Sequence, residues 1–279
     1  MTDAPSVLCR HFFLRIFFLF FYIFCIVMKF SFTPFALVAS LIALPISLQS
    51  ATVSIPYSND FSSSVADFTE NPGAEWTLDS GAGVFTYSNS EQATSGTAMV
   101  TASGLGSTYA DFSISTTFTV TATNSGTSNW GMALLGNSET PSDFILVDFS
   151  SNRTLRAINL GGTGTGSTVN DSKTSSLSFS TGTSYTLTAN GSYSGTVLTL
   201  TLDLTNGVSS DSIVITPFDT AATGYDGSAM GLRARSGSGS GGTTVQYDSF
   251  SIVPEPSMSA LFLGAATGFL VLGRRSRRS

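Results

Sequence analysis

Within residues 52–252 several runs alternate apolar and hydroxyl-bearing side chains one by one, and this period of two limits what the chain can fold into. In the run Asp111–Val120, Phe112, Ile114, Phe118 and Val120 fall on one side, with Ser113, Ser115, Thr117 and Thr119 on the other. Ser184–Ala189 and Thr196–Leu204 repeat the pattern. Successive side chains of a strand point to opposite faces, so such segments lay one face on a core and turn the other to water. Asp143–Phe149 is more continuously apolar, as for a strand covered on both faces. Glu75–Asp79, Gly83–Tyr87, Thr97–Thr101, Trp130–Leu135, Thr154–Asn159, Asp211–Thr216, Ala229–Arg235 and Thr243–Ile252 complete the expected strands. Asn190-Gly191 and Asn206-Gly207 read as hairpin turns, and Gly161–Ser167 and Ser236–Gly242 as flexible loops. No segment carries a helical period. About twelve to fourteen short strands without an internal repeat predict one all-β antiparallel β-sandwich or jelly roll over residues 52–252.

Charge narrows the function. Between Thr52 and Val253 five lysines and arginines face sixteen aspartates and glutamates, a net −11 against −6 for the whole chain. Such a surface repels phosphate backbones, so no nucleic-acid partner is expected. Both cysteines, Cys9 and Cys25, and the single histidine, His11, precede Lys29. The middle region therefore lacks the residues for Ser-His-Asp or Cys-His catalysis, thiol redox chemistry and His/Cys zinc sites. A metal there would be a hard cation held by oxygen.

The two ends are of another kind. Met28-Lys29 precedes an apolar run, Phe30–Leu48, and then Gln49-Ser50-Ala51. A positive start, an apolar stretch and a small-residue exit make residues 28–51 a signal peptide cut after Ser50 or Ala51; the alternative is a retained anchor. Residues 1–27 contain a second apolar run, Phe12–Val27, interrupted by Arg15. They read as an over-extended start upstream of Met28, or else as an uncleaved helix. At the other end Val253, Pro254, Glu255, Pro256 and Ser257 precede the apolar stretch Met258–Gly273 and a basic cluster of Arg274, Arg275, Arg277 and Arg278. The prolines keep the peptide extended, and the arginines hold the end of a short transmembrane helix in the cytoplasm.

Residues 253–279 resemble the PEP-CTERM sorting signal. That resemblance implies an exosortase, a membrane protease-transpeptidase of exopolysaccharide-making bacteria, as partner. The protein would be exported by the general secretion machinery, with transient membrane contact through both termini, and would end at the cell surface or in the extracellular matrix. Within the middle region, the strand of Trp76, Gly81-x-Gly83, Gly131–Gly136, Gly182–Leu187 and Gly231-Leu-Arg leading into Tyr247–Ile252 are similar to the concanavalin A-like (LamG-like) jelly roll.

Glycosidases of that fold use paired carboxylates in a Glu-x-Asp-x-Glu run. This chain has none, and Glu70, Glu75, Glu91 and Glu139 stand isolated. No enzyme is expected. Ca²⁺ is the one cofactor to weigh, with Asp219, Asp226 and Asp248 as oxygen donors; the competing reading makes the first two turn residues and the third a strand cap. Trp130, Tyr225 and Tyr109 are the aromatics that could stack on a sugar of an extracellular polysaccharide, against a core role for Trp130 and Trp76. The expected role is structural or adhesive in the exopolysaccharide matrix. The alternatives are a Ca²⁺-dependent lectin and a polysaccharide hydrolase.

Overall fold

The alternation does what its period dictates. The computed structural model describes residues 52–254, apart from 72–74, 104, 106–107, 138–143, 161–167 and 226. The strands are β1 (Thr52–Val53), β2 (Tyr57–Asn59), β3 (Thr69–Asn71), β4 (Trp76–Asp79), β5 (Val84–Asn89), β6 (Ser95–Ala102), β7 (Phe112–Ala122), β8 (Asn129–Gly136) and β9 (Phe144–Ser150). They continue as β10 (Thr154–Leu160), β11 (Thr168–Thr174), β12 (Ser184–Ser194), β13 (Val197–Thr205), β14 (Ser210–Val214), β15 (Phe218–Asp219), β16 (Ala229–Arg235) and β17 (Thr243–Pro254). A single helical turn, α1 (Thr220–Thr223), lies between β15 and β16.

Two sheets form a jelly-roll-like all-β sandwich. The eight-stranded sheet runs β1-β6-β16-β8-β9-β10-β11 with β3 beside β6, and the nine-stranded sheet runs β14-β13-β12-β7-β17-β5-β4 with β15 and β2 on its flanks. All pairs are antiparallel except β1 with β6. β7, β12 and β13 show the strict alternation: Phe112, Ile114, Phe118, Tyr185, Leu187, Leu198, Leu200, Leu202 and Leu204 are buried together with Thr116, and the serines and threonines on the other side stand outward. Their hydroxyls bond in cross-strand pairs, Ser115 with Thr188 at 3.0 Å and Thr117 with Thr186 at 2.9 Å. As expected from its apolar run, β9 is buried on both faces, and so is β8.

Aromatic rings fill the space between the sheets, with Phe149 of one 5.3 Å from Tyr185 of the other. Polar atoms of those rings bridge the layers. Trp130 Nε1 donates to Thr243 Oγ1 at 3.1 Å, and Tyr247 Oη donates to the Arg233 carbonyl at 2.6 Å. A buried indole or phenol needs such a partner, and here the partner fixes how the sheets sit on each other.

Two expected turns part ways. Asn206-Gly207 turns the β13–β14 hairpin, with Gly207 at φ 82°. Asn190-Gly191 does not turn: both residues lie inside β12, where Gly191 faces Phe112 of β7, and the chain reverses instead between Ser194 and Val197. A Cβ on Gly191 would meet the Phe112 ring at 2.4 Å, so this glycine makes room for a ring rather than for a bend. Ser236–Gly242, expected to be a flexible loop, is tied down: Asn124 Nδ2 donates to Ser236 Oγ and to the carbonyls of Gly237 and Gly239. β1, β2, β3, β11 and β15 were not foreseen, being short or poor in apolar residues. Gly161–Ser167, residues 1–51, and Glu255 onward with Pro256, Ser257 and the Arg274–Arg278 cluster lie outside the described residues.

Candidate functional site

The predicted sugar-stacking residues are core. Trp130 is fully buried and stacks on Phe179 with centroids 5.1 Å apart, and Tyr225 is 2% exposed. Neither offers a ring face to solvent, because each is drawn inward by the apolar area it removes from water. Tyr109 is half-buried against Tyr193, edge to face at 5.6 Å.

Of the predicted calcium ligands, the two that the structure describes, Asp219 and Asp248, stand apart. Asp219 caps α1, its carboxylate accepting the amides of Ala221 and Ala222 at 3.0 and 3.1 Å. Those bonds hold its pKa below the ordinary carboxylate value. Asp248 stands in a β-bulge of β17 between Tyr247 and Ser249. The two carboxylates are four strand spacings apart across the sheet, about 19 Å or more. Asp226 lies outside the described residues. Among the described residues no three of His, Cys, Asp and Glu converge as a metal site would need.

The arrangement that does converge lies where β17 changes partner. One edge of β17 pairs with β5 as far as Tyr247 and with β2 from Phe250 onward, leaving Asp248 and Ser249 between them. The loop from Asp60 to Phe68 arches over that break. Beneath it opens a cleft of about 450 Å³ lined by Ser58, Asn59, Asp60, Ser63, Ser64, Asp67, Ser249, Phe250 and Ser251. This volume lies within the range of small-ligand sites.

The loop is held by local polar chemistry. Asn59 Oδ1 accepts the Phe61 amide at 2.7 Å while its Nδ2 donates to the Ser64 carbonyl at 2.9 Å. Asp60 Oδ1 accepts both the amide and the hydroxyl of Ser62, which lowers its pKa and keeps it an acceptor. Phe61 takes a left-handed backbone, φ 56°, and is fully buried, its ring 5.5 Å from Phe85 and 5.9 Å from Phe68. A bulky residue there costs of order 1–3 kcal/mol, which the buried ring offsets. Tyr57 Oη donates to Asp67 Oδ2 at 3.3 Å. Burial first, and then the Asp67 charge, push Tyr57 up to about 12 against the opposing Asn59 hydrogen bond, so the phenol remains a donor. Sequence reasoning passed over this loop. Its signal was the cluster Asn59-Asp60 followed by Ser62, Ser63 and Ser64, residues that bond their own backbone in turns.

A second polar group crosses the outer face of the eight-stranded sheet. Arg156 Nε and Nη2 grip Asp148 Oδ1 and Oδ2 at 2.8 and 3.1 Å, and Nη2 also reaches Asn129 Oδ1 at 2.9 Å. Asp148 is fully buried there. The register sets Arg233, Gly131, Asp148 and Arg156 in one row over β16, β8, β9 and β10. Asp148 is thus committed to a guanidinium and is not free to act as a catalytic carboxylate.

No family model and no curated protein matches the chain. Among solved structures, an engineered GH43 glycoside hydrolase with endo-xylanase and exo-arabinofuranosidase activity is similar over 74% of this chain and 42% of its own, at 12% identity and a TM-score of 0.51. The Lotus tetragonolobus seed lectin aligns over 68% of this chain and 93% of its own, at 14% identity and a TM-score of 0.42. A functionally unknown Saccharomyces cerevisiae protein aligns over 70% of this chain and all of its own, at 11% identity and a TM-score of 0.46. At such identities the likeness to the hydrolase shows the fold alone, a β-sandwich.

Proposed function

We propose that the chain is an exported, exosortase-processed surface protein whose non-catalytic β-sandwich holds glycan in the exopolysaccharide matrix. The cleft under the 60–68 loop carries the binding half of this reading. Its lining of serine hydroxyls, an amide and two carboxylates matches the donor and acceptor pattern of sugar hydroxyls. The exposed large apolar side chains of the described residues are valines, with no ring among them to stack on a pyranose. Binding is accordingly weak for each site, which suits an adhesive matrix component better than a high-affinity lectin.

The sorting half rests on the terminal sequence, and the fold accommodates it. Every strand of the described residues precedes Glu255, so removal of the tail leaves those strands whole. Against a hydrolase stands Asp60 of the cleft, whose hydrogen bonds from Ser62 lower its pKa. A glycosidase needs one proton-donating acid, and Asp60 is shifted the other way.

Retention on exopolysaccharide from producing cells tests the reading. Asp67→Asn and Ser251→Ala each weaken retention about fivefold, the worth of one hydrogen bond. Folded variants retained like the wild type would refute the cleft as the binding site. Turnover of a polysaccharide panel would move the account to the hydrolase alternative, and a loss of retention in EDTA to the Ca²⁺-dependent lectin.

A further inference from the structure

The last strand runs without a linker into the sorting motif. Val253 and Pro254 are still paired with Ser113 and Phe112 of β7, so the folded sheet ends only three residues before the apolar run that opens at Met258. An extended chain from Pro254 to Met258 reaches about 13 Å. β17 points toward the β12–β13 turn, since β12 runs in the same direction as β17. Pro254 is level with Gly191 of β12, and the turn after Ser194 therefore projects about 10–13 Å further. That projection equals the reach of an extended chain from Pro254 to Met258.

The side chains at this end differ from those elsewhere on the sheet's outer face. Val197 is 37% exposed, Val214 60% and Val253 45%. Val214 and Val253 share one register row, Val214–Thr201–Asn190–Ser113–Val253, and Val197 lies beyond it toward the turn. The fourth exposed valine, Val208 at 93%, sits at the opposite end, in the β13–β14 turn. Tyr109 and Tyr193 cap the core at the tail end, and tyrosine favours the boundary between apolar and wet surroundings. Among the described residues the acidic groups there are Asp111, which accepts the Tyr193 amide at 2.7 Å, and Asp219, which is paired in register with Val197. They would be repelled by an anionic surface.

We infer that, while the tail is still attached, this end of the sandwich rests on the bilayer, with Val197, Val253, Tyr109 and Tyr193 at the level of uncharged, zwitterionic headgroups. The inference rests on the sorting-tail reading. Its consequence is that the domain itself presents Glu255-Pro256 at the membrane surface, where a membrane protease works.

Spin labels test it, on the full chain carrying Cys9→Ser and Cys25→Ser in zwitterionic nanodiscs. A label at Val197→Cys is expected to be several-fold less accessible to a water-soluble relaxant than one at Val208→Cys. Six Gly/Ser residues inserted between Pro254 and Glu255 should abolish that difference, and anionic lipid should reduce it. Equal accessibility of the two labels in a chain that co-floats with lipid overturns this inference and leaves the tail reading standing. A chain that fails to co-float overturns both.

Discussion

At the scale of single residues, the energetics separate structural side chains from those open to function. Trp130 fills the core and anchors Thr243, so Trp130→Ala should lower stability by about 3–5 kcal/mol. Below its melting point the variant should keep wild-type retention on polysaccharide; denaturant titration and the retention assay together check this. Asp148→Ala would leave Arg156, and the buried Arg233 beside it, without their countercharge, and should cost about 3–5 kcal/mol. Asp248 behaves in the opposite sense. Desolvation raises its pKa, so the folded carboxyl holds a proton better than the unfolded one. That stability is present below the unfolded pKa and is lost as pH rises through the raised value, leaving a net cost at neutral pH. Asp248→Asn should therefore raise the melting temperature at pH 7, with the gain fading below pH 4. A lower melting temperature at pH 7 would show that the carboxylate makes a stabilising contact in the fold.

At the scale of elements, a carboxylate helps tie the free edges of the two sheets. Asp211 of β14 pairs with Lys173 of β11 and accepts the Ser176 amide at 2.7 Å. The lysine first, and that amide with it, hold the Asp211 pKa well below the ordinary value. A lowered pKa contributes stability above the unfolded value that is lost as pH falls toward the folded one. Acid unfolding should shift to higher pH in Asp211→Asn, followed by tryptophan fluorescence. Gly126 and Gly239 form another tie, a backbone-to-backbone contact in which a Cβ on Gly126 would lie 2.5 Å from the Gly239 amide nitrogen. Neither contact was legible in the sequence, because each joins residues far apart in the chain. What was legible follows from period: β7, β12, β13, β16 and β17 appear where alternation and Gly/Asn punctuation place them. β2 and the cleft loop escaped because Tyr57–Asn59 is too short to show a period, and Asn190-Gly191 misled because a hairpin dipeptide also serves where an aromatic ring crowds the backbone.

At the scale of the whole molecule, the chain divides into a β-sandwich that ends at Pro254 and terminal segments whose sequences read as export and sorting signals. No helix among the described residues is long and apolar enough to cross a membrane. Intact mass and peptide mapping of the protein taken from the outer surface of producing cells test the central claim most directly. The account predicts an N-terminus near residue 51, a C-terminus near residue 255, and no peptide from Met258–Ser279. A surface protein that retains Met258–Ser279 would contradict exosortase processing and leave a plain membrane-anchored β-sandwich.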